Sequence, residues 1–488
     1  MNLDQAQLPL VSALAAAARR PDAAFHTPGH KRGQSAPADL VDLLGKLVFQ
    51  ADLPELPDLD NLFAPEGAIA QAQLLAAAAF GAEQTWFLAN GSTSGIEAAV
   101  LATCNPGDRL ILPRNVHQSA IAALILAGAV PIFVLPEYDP DWDIAHPPTP
   151  AAIEQALHNH PDAKAVLIVS PTYHGVCADV KAIAQRVHQF NLPLLVDEAH
   201  GAHFAFHPDL PPAALAMGAD LAVQSTHKTL SAFTQAAMLH MQGVRIDRAR
   251  LAAALRLVQS TSPSYLLLAS LDAARQQMAL HGQTLLDRTL KLANRAHREL
   301  SQIPGLRILH PTEVTNAIDR TRLTVGVANL GLTGFEADEQ LLAMGVAAEL
   351  PAMLHLTFIL SIGTADREID RLVQGWRQLA SRLGTNPRLR LNLPPLPFAP
   401  LPFAPLTPRD AFFAERESVS IAAAIDRISA EIVCPYPPGI PLLLPGEQIT
   451  REAIDYLQQV IDAGGIVTGC DVDRGTVQVV KRSPVSLS

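Results

Sequence analysis

The chain has 488 residues, which is too long for one ordinary hydrophobic core and predicts two or three domains. Hydrophobic residues make up 49% of it and charged residues 17%, a globular composition that excludes a disordered chain. The net charge is −11 and no stretch clusters lysine and arginine, so we expect no nucleic-acid partner.

The cysteines and the most apolar stretch bear on the compartment in which the protein works. The four cysteines show no Cys-x-x-Cys or Cys/His spacing, so the sequence predicts neither a metal site nor a disulfide framework. The chain starts without the charged and then apolar order of a signal peptide. Its most apolar run, residues 120–135, is interrupted by Gly128 and Pro131 and is shorter than the ~20 residues that span a bilayer. We therefore expect a cytoplasmic protein with no membrane partner.

After an N-terminal segment, residues 1–70, the region 71–300 alternates helical patterns with short apolar strands. The predicted strands are 86–88, 109–112, 131–135, 165–169, 193–196, 221–223 and 236–239. Strands that are apolar on both faces and separated by helix-length segments are typical of a largely parallel sheet covered by helices. We therefore assign region 71–300 to the α/β class.

A smaller domain is predicted for residues 301–390. A long helical pattern over 264–301 leads into it, and a shorter one over 366–382 lies near its end. Between them the sequence predicts strands over 307–309, 323–327 and 356–360. Strands and helices that do not alternate regularly indicate an α+β domain.

Residues 391–408 are dominated by proline and contain the tandem repeat LPFAP-LPFAP at 396–405. This composition favours an extended, semi-rigid linker, and a partner-docking motif is the alternative. The linker leads to a C-terminal domain, residues 409–488, which has its own helical patterns and Pro-Gly turns.

A loop rich in glycine and serine, NGSTSG at 90–95, follows a predicted strand and opens a helix. Small residues let the backbone approach a ligand, and the free N–H groups at a helix start suit a phosphate dianion. Taken alone the pattern is weak, because such loops cap many helices that bind nothing.

Three further motifs also follow strands. Asp197 ends a strand, where its carboxylate can bind a metal, pair with an arginine, hold a protonated ring nitrogen or cap the next turn. Lys228 comes after the next strand; burial there would lower its pKa and make the amine nucleophilic, although a lone lysine is more often a surface residue. His117 follows an earlier strand, and a lone histidine is usually structural.

The order of these motifs matches what pyridoxal phosphate needs. Its phosphate needs an anchor, its ring a stacking partner, its ring nitrogen an anion and its aldehyde an amine. The protonated ring then acts as an electron sink for a carbanion at the substrate α-carbon.

Longer stretches make the comparison specific. They are HTPGHKRG, NGSTSG, PRNVHQS, VDEAHGAHF, STHKTLSAFTQAAMLH, STSPSYLLLASLD, LGLTG, FILSIG and YPPGIPLLLPGE. In these stretches the chain resembles the ornithine/lysine/arginine decarboxylase family, whose members have fold type I, the aspartate aminotransferase fold. The resemblance implies an α/β large domain with a mainly parallel sheet and smaller α+β domains.

The resemblance also implies a role for each matching residue. Lys228 would hold pyridoxal 5'-phosphate as a Schiff base, and Asp197 would pair with the ring nitrogen. His117 and Ala199 would contact the two faces of the ring, and His200 would lie near the ring hydroxyl or the substrate carboxylate. The residues implied for the phosphate are Ser92, Thr93, Ser94, Ser225 and His227, together with Thr261 and Ser262 contributed by the other subunit of a homodimer.

Two departures qualify the resemblance. Longer degradative members carry an N-terminal wing domain, and this chain begins too close to HTPGHKRG to hold one, so it resembles the short bacterial members. Gln118 follows His117 where many relatives have lysine, which alters the charge in the pocket.

The fold alone leaves the reaction open, since it also hosts aminotransferases and other α-carbon lyases. Fold type I aminotransferases usually bind the substrate carboxylate with a small-domain arginine, and residues 354–365 contain none. A decarboxylase has reason to lack one, because an ion pair would stabilise the carboxylate that must leave as CO2. A non-catalytic regulatory relative would be expected to lose Lys228 or Asp197, and both are present.

The sequence therefore predicts decarboxylation of arginine, lysine or ornithine to agmatine or a diamine, and leaves open which is preferred and whether the product enters polyamine biosynthesis. Every one of these substrates carries a distal cation. The resemblance places a glutamate at Glu349, on a predicted strand and facing the active site, where it would pair with that cation; a surface glutamate at a strand end is the alternative.

Overall fold

The structure is a computed structural model that describes residues 3–311, 316–383, 403–436 and 439–482. The chain forms two compact units. One consists of Met1–Ala102 and Leu195–Asp287, and the other of Thr103–Leu194 and Arg288–Ser488. We refer to them as the first and the second unit.

The regular elements of the described residues follow in chain order. The helices are α1 (Pro9–Ala18), α2 (Ala38–Leu44), α3 (Lys46–Ala51), α4 (Ala68–Phe80), α5 (Gly91–Thr103), α6 (Gln118–Ala127), α7 (Pro150–Asn159), α8 (Val180–Gln189), α9 (Thr226–Thr229), α10 (Arg248–Val258), α11 (Tyr265–Leu300), α12 (Gly334–Ala343), α13 (Asp366–Leu383), α14 (Pro408–Phe413) and α15 (Arg451–Asp462). The strands are β1 (Gln84–Leu88), β2 (Arg109–Pro113), β3 (Val130–Val134), β4 (Tyr138–Asp139), β5 (Ile144–Ala145), β6 (Ala165–Val169), β7 (Leu194–Asp197), β8 (Leu221–Gln224), β9 (Ala237–Met241), β10 (Arg307–Ile308), β11 (Arg322–Gly326), β12 (Leu350–Pro351), β13 (His355–Ile359), β14 (Arg416–Ser420), β15 (Cys434–Tyr436), β16 (Ile466–Thr468), β17 (Cys470–Asp471) and β18 (Thr476–Val480).

In the first unit the strands lie in the order β1-β9-β8-β7. β7 and β8 are parallel, whereas β8 pairs with β9, and β9 with β1, in antiparallel fashion. Helix α5 packs closely on this sheet at Gly95, where a Cβ would lie 2.6 Å from Val223 and 2.7 Å from Leu88. Glycine is therefore required if α5 is to start this close to the strand ends.

In the second unit β2 pairs in parallel with β3 and with β6. A separate antiparallel sheet has the order β10-β11-β13-β12 and shares a core with α12 and α13, centred on Leu323 and Trp376. The C-terminal residues form two small sheets, β14-β18-β17 and β15-β16, which share a core with α15 through Leu457 and Val477.

The predicted α/β class is confirmed, since the described strands of region 71–300 are mostly parallel and alternate with helices. Each predicted strand is present there, with ends shifted by at most two residues. The elements predicted for 264–301 and for the smaller domain agree within one residue. Among the residues that the structure describes, no helix is both long and apolar enough to cross a bilayer.

The predicted linker, 391–408, falls largely outside the described residues, which omit 384–402. Helix α14 begins at Pro408, inside the predicted linker, and Thr407 caps it by accepting a hydrogen bond from the Asp410 N–H. Proline is tolerated at the first position of a helix, so a proline-rich composition did not exclude one here. The greater part of the LPFAP repeat, 396–402, also lies outside the described residues.

Candidate active site

The carboxyl ends of two parallel strands bring the predicted acid and lysine to the same edge of the first unit's sheet. Asp197, the last residue of β7, lies opposite Val223 of β8. Ser225 follows β8 directly, and Lys228 lies in the short helix α9 that comes next. The edge beyond the carboxyl ends of parallel strands is where α/β proteins bind ligands.

Asp197, Ala199, His200 and Lys228 form the centre of this site. The Nζ atom of Lys228 lies 3.0 Å from Nε2 of His200, so the amine and the imidazole can exchange a proton. Asp197 is 6% exposed, and its Oδ1 accepts a hydrogen bond from the Ala199 N–H at 3.1 Å. Burial raises the pKa of the Asp197 carboxyl, while the charge of Lys228 and the Ala199 N–H oppose that rise.

The predicted phosphate loop meets the lysine motif through two hydroxyl groups. Ser225 Oγ donates a hydrogen bond to Ser92 Oγ at 2.8 Å, and Ser92 lies in the first turn of α5. Thr93 is exposed, whereas Ser94 is buried and donates to the Gly91 carbonyl of its own turn. His227 lies within hydrogen-bonding distance of the Ala236 carbonyl through Nδ1, at 3.0 Å.

Thr261 and Ser262 are exposed in the loop between α10 and α11. The preceding residue, Ser260, donates its N–H to Oδ1 of Asn90, the first residue of the phosphate loop, at 3.3 Å. The loop is thus tied to this part of the first unit. The contribution of Thr261 and Ser262 to a partner's site stays a prediction.

His117 belongs to the second unit, where it caps the start of α6. Its Nδ1 accepts a hydrogen bond from the Ser119 N–H at 3.2 Å, which places the proton of the neutral ring on Nε2. The ring is half-buried. Its stacking role stays a prediction.

A buried arginine, Arg114, connects the His117 segment to the C-terminal residues. The motifs did not point to this residue. Arg114 is fully buried and donates to both carboxylate oxygens of Glu447, at 3.0 and 2.8 Å. It also donates to the carbonyls of Pro441 and Leu442, at 2.8 and 3.1 Å. We call these four hydrogen bonds the Arg114 clamp. Arg114 lies in the stretch PRNVHQS and Glu447 in the stretch YPPGIPLLLPGE. Their presence in stretches that resemble the family was the sequence signal that could have identified them.

A second acid that was not singled out, Glu198, lies next to Asp197 in the chain. It is buried, accepts hydrogen bonds from Gln224 Nε2 and the Ala214 N–H, and burial raises its pKa to about 8. Oε1 of Gln224 in turn lies 3.1 Å from Nε2 of His240. These side-chain contacts connect the end of β7 to β8 and β9.

Glu349 does not lie on a strand, and that prediction is wrong. It occupies a bend immediately before β12, and its N–H donates to the Thr357 carbonyl at 3.1 Å. β12 is only two residues long and begins one residue after Glu349, at Leu350. The Glu349 side chain is exposed. Burial lowers the pKa of Arg322, and the charges of Asp319 and Glu349 oppose that change. Its contact with a substrate stays a prediction.

Two protein families match almost the whole chain. The one described as Orn/Lys/Arg decarboxylase, major domain, matches residues 8–365, and the one described as Orn/Lys/Arg decarboxylase, C-terminal domain, matches residues 398–478. The chain belongs to the ornithine/lysine/arginine decarboxylase family. This confirms the resemblance inferred from the motifs.

Individual relatives differ in how similar they are to this decarboxylase. An arginine decarboxylase of Bacillus subtilis (strain 168) is 40% identical over 476 residues, which are 96% of this chain and 96% of that protein. One of Bacillus anthracis is 36% identical over 99% of this chain and 100% of that protein. A lysine decarboxylase of Pseudomonas aeruginosa is 26% identical and matches over 89% of this chain and 73% of that protein.

Solved structures confirm the fold of the decarboxylase. A lysine decarboxylase of Francisella novicida superposes with a TM-score of 0.84 at 23% identity, over 97% of this chain and 81% of that one. An alanine–glyoxylate aminotransferase of Nostoc superposes with a TM-score of 0.51 at 17% identity, over 64% of this chain and 86% of that one. The fold type I assignment agrees with both.

The Arg114 clamp predicts a large stability effect. We expect Arg114→Met to lower the free energy of unfolding by about 3–5 kcal/mol, because it leaves the Glu447 carboxylate buried without a cation. Chemical denaturation of the purified decarboxylase measures this.

The control is Arg109→Met, which breaks a 2.8 Å ion pair with Asp162 in the same unit, with side chains 43% and 58% exposed. Exposed pairs contribute about 0.2–1 kcal/mol, so this loss should be small. Equal losses in the two variants would show that the Arg114 clamp adds nothing beyond an ordinary ion pair.

Proposed function

We propose that this decarboxylase converts arginine to agmatine and CO2, using pyridoxal 5'-phosphate held through Lys228. The observation that carries the choice of substrate is the 40% identity to an arginine decarboxylase over 96% of both chains. The lysine decarboxylase compared is only 26% identical and matches over 73% of its own length. The agreement in length and in sequence favours arginine over lysine.

The residues of the first unit fit the cofactor. Asp197 is a buried acid whose carboxylate has an electrostatic interaction with Lys228, which suits a partner for a protonated ring nitrogen. Lys228 is only half-buried, so its amine can be reached. The hydroxyls of Ser92 and Ser225 meet at the start of α5, where free helix N–H groups suit a phosphate. Ala199, a small buried residue, is proposed for one face of the ring on the basis of its motif.

Pyridoxal phosphate, when bound, supplies an electron-poor ring that accepts the electron pair left behind when the carboxylate departs as CO2. The negative charge of the Asp197 carboxylate would keep the ring nitrogen protonated, and the protonated ring is the better electron acceptor. His200, 3.0 Å from Lys228 Nζ, is placed to accept a proton from that amine or to return one to it. His117 is proposed as the stacking residue on the basis of its motif.

Product analysis tests the choice of substrate. We expect the purified protein, incubated with pyridoxal phosphate and arginine, to release CO2 and agmatine in equal amounts. Lysine and ornithine, assayed in parallel at the same concentration, should give cadaverine and putrescine at least about tenfold more slowly, since a guanidinium and an ammonium differ in donor geometry. Faster turnover of lysine or ornithine would overturn the assignment to arginine.

The role of Asp197 predicts a separation between cofactor binding and turnover. We expect Asp197→Asn to keep the cofactor while kcat falls by about 100-fold or more, because a neutral amide no longer holds the ring nitrogen protonated. Steady-state kinetics gives kcat, and absorbance in the visible gives the bound cofactor.

Lys228→Ala is the companion variant, and after borohydride reduction and dialysis it should retain no covalent cofactor. Lys181→Ala, which removes an exposed lysine on α8, should retain it fully. Covalent cofactor in Lys228→Ala would contradict the assignment of the amine, and unchanged kcat in Asp197→Asn would show that the acid is structural.

We also propose that the active form is a homodimer in which Thr261 and Ser262 reach the partner's phosphate. In support, both side chains are exposed, and Leu257, just before their loop, is 78% exposed. We expect a dimer in analytical ultracentrifugation at assay concentration, and weaker cofactor retention in the Thr261→Ala/Ser262→Ala double variant. A monomer with full activity would refute the proposal.

A further inference from the structure

A cavity of about 110 Å3 lies inside the second unit. It is bounded by the segments after β2 and β6, the β4–β5 hairpin, the β12–β13 hairpin and α15. Most of its wall is apolar, including Phe335, Leu442 and Val460. One water needs about 10–15 Å3 of such space, so the cavity has room for a group several times larger.

Two buried side chains on the wall of this cavity have an acceptor atom with no hydrogen-bond partner among the described residues. Asn115 donates its amide to the His146 carbonyl at 3.4 Å, and its Oδ1 is left over. His355 lies with Nδ1 2.9 Å from the Trp142 carbonyl, so Nδ1 carries the proton and Nε2 is the leftover acceptor. Burial lowers the pKa of His355 to about 4, so its ring is neutral.

The third polar group is a carboxylate. Asp143 lines the cavity, and its Oδ1 accepts a hydrogen bond from the Tyr138 hydroxyl at 2.7 Å. Burial raises the pKa of Asp143 to about 7, with the Tyr138 hydroxyl opposing the rise. In the part of the chain that the structure describes, no lysine or arginine lines the cavity. Asp143 is half-buried, and a carboxylate in such a site is stabilised by a cation that enters from outside.

We propose that this cavity binds a guanidinium group, with Asp143, Asn115 Oδ1 and His355 Nε2 as its acceptors. Hydroxyl groups such as those of Tyr173 and Tyr456 also line the cavity, but the two buried wall atoms without a partner, Asn115 Oδ1 and His355 Nε2, are acceptors. A guanidinium has five N–H donors and no acceptor, so it complements these two atoms and the Asp143 carboxylate. Its planar cation spreads those donors over several directions, whereas an ammonium concentrates three on one atom. The apolar remainder of the wall suits the alkyl chain that carries the group.

The guanidinium can come from arginine or agmatine, or from a separate guanidinium compound that regulates the enzyme. Only the first source rests on the proposed function. Glu349, the acid expected from the sequence to meet the distal cation, is not part of the cavity wall, whereas its neighbour Leu350 is. The cavity therefore offers the distal cation an alternative to Glu349.

The test is calorimetric titration of the full-length holoenzyme with methylguanidinium, which has no α-amine and no carboxylate. We expect the wild type to bind it, and Asp143→Asn to bind it about 10- to 100-fold more weakly, the range for a hydrogen bond between charged groups. Asp141→Asn removes an exposed carboxylate two residues away and should bind like the wild type. Ala145→Leu fills the cavity without changing a charge, so it should also weaken the binding of methylguanidinium. This variant tests the proposal if Asp143→Asn fails to fold.

Inhibition of arginine turnover by methylguanidinium distinguishes the two sources. Competitive inhibition, with a raised KM for arginine in Asp143→Asn, identifies the substrate's own guanidinium. Non-competitive inhibition or activation that Asp143→Asn abolishes identifies a separate ligand, and both results support the cavity as a guanidinium site. No binding by the wild type, or binding by both Asp143→Asn and Ala145→Leu that is as tight as that of the wild type, would overturn the proposal. Binding of methylguanidinium without formation of agmatine from arginine would instead overturn the proposed function alone.

Discussion

A charge removed from water must meet an opposite charge or a set of hydrogen bonds, and this requirement shapes each polar site of the decarboxylase. Asp197 is buried at the end of a strand and interacts with the charge of Lys228. Arg114 is buried at the end of another strand and is compensated by Glu447. Asp143 is half-buried, accepts a hydrogen bond from the Tyr138 hydroxyl and lies on the wall of a cavity. The first arrangement suits a cofactor, the second stabilises the fold and the third suits a cationic ligand.

In the first unit, the parallel pairing of β7 and β8 brings the acid and the amine of the candidate active site together. Because both strands end at the same edge, Asp197 and the segment that carries Lys228 lie side by side, although they are a whole connecting segment apart in the chain. Gly95 lets α5 pack against β8 and β1, and the Ser92 hydroxyl in the first turn of α5 meets Ser225 after β8. The acid, the amine and the two hydroxyls thus lie at one edge of the sheet because of how the strands and α5 are arranged.

The sequence predicted the parts of the fold that depend on local pattern. Runs such as Ala165–Val169 are apolar throughout and were located to the residue, and motifs at strand ends pointed to Asp197 and Lys228. It did not predict that β1 and β9 run antiparallel, because a strand buried on both faces looks the same in either direction. Glu349 was misplaced by one residue, since the strand begins at Leu350, and a single-residue shift at a strand end is not visible in the local pattern. The sequence also did not identify Asp143, since an aspartate in a polar segment gives no local sign that the fold will place it on the wall of a cavity.

The Arg114 clamp has a consequence for how the protein is made. The arginine and its carboxylate partner are separated by 333 residues, and its carbonyl acceptors at Pro441 and Leu442 lie almost as far along the chain. During translation, the end of β2 therefore emerges from the ribosome long before Glu447, the carboxylate that neutralises Arg114 in the folded protein. Until residues 441–447 are synthesised, Arg114 lacks the partners with which the native fold buries it. Closing the second unit around this arginine thus depends on a segment made near the end of synthesis.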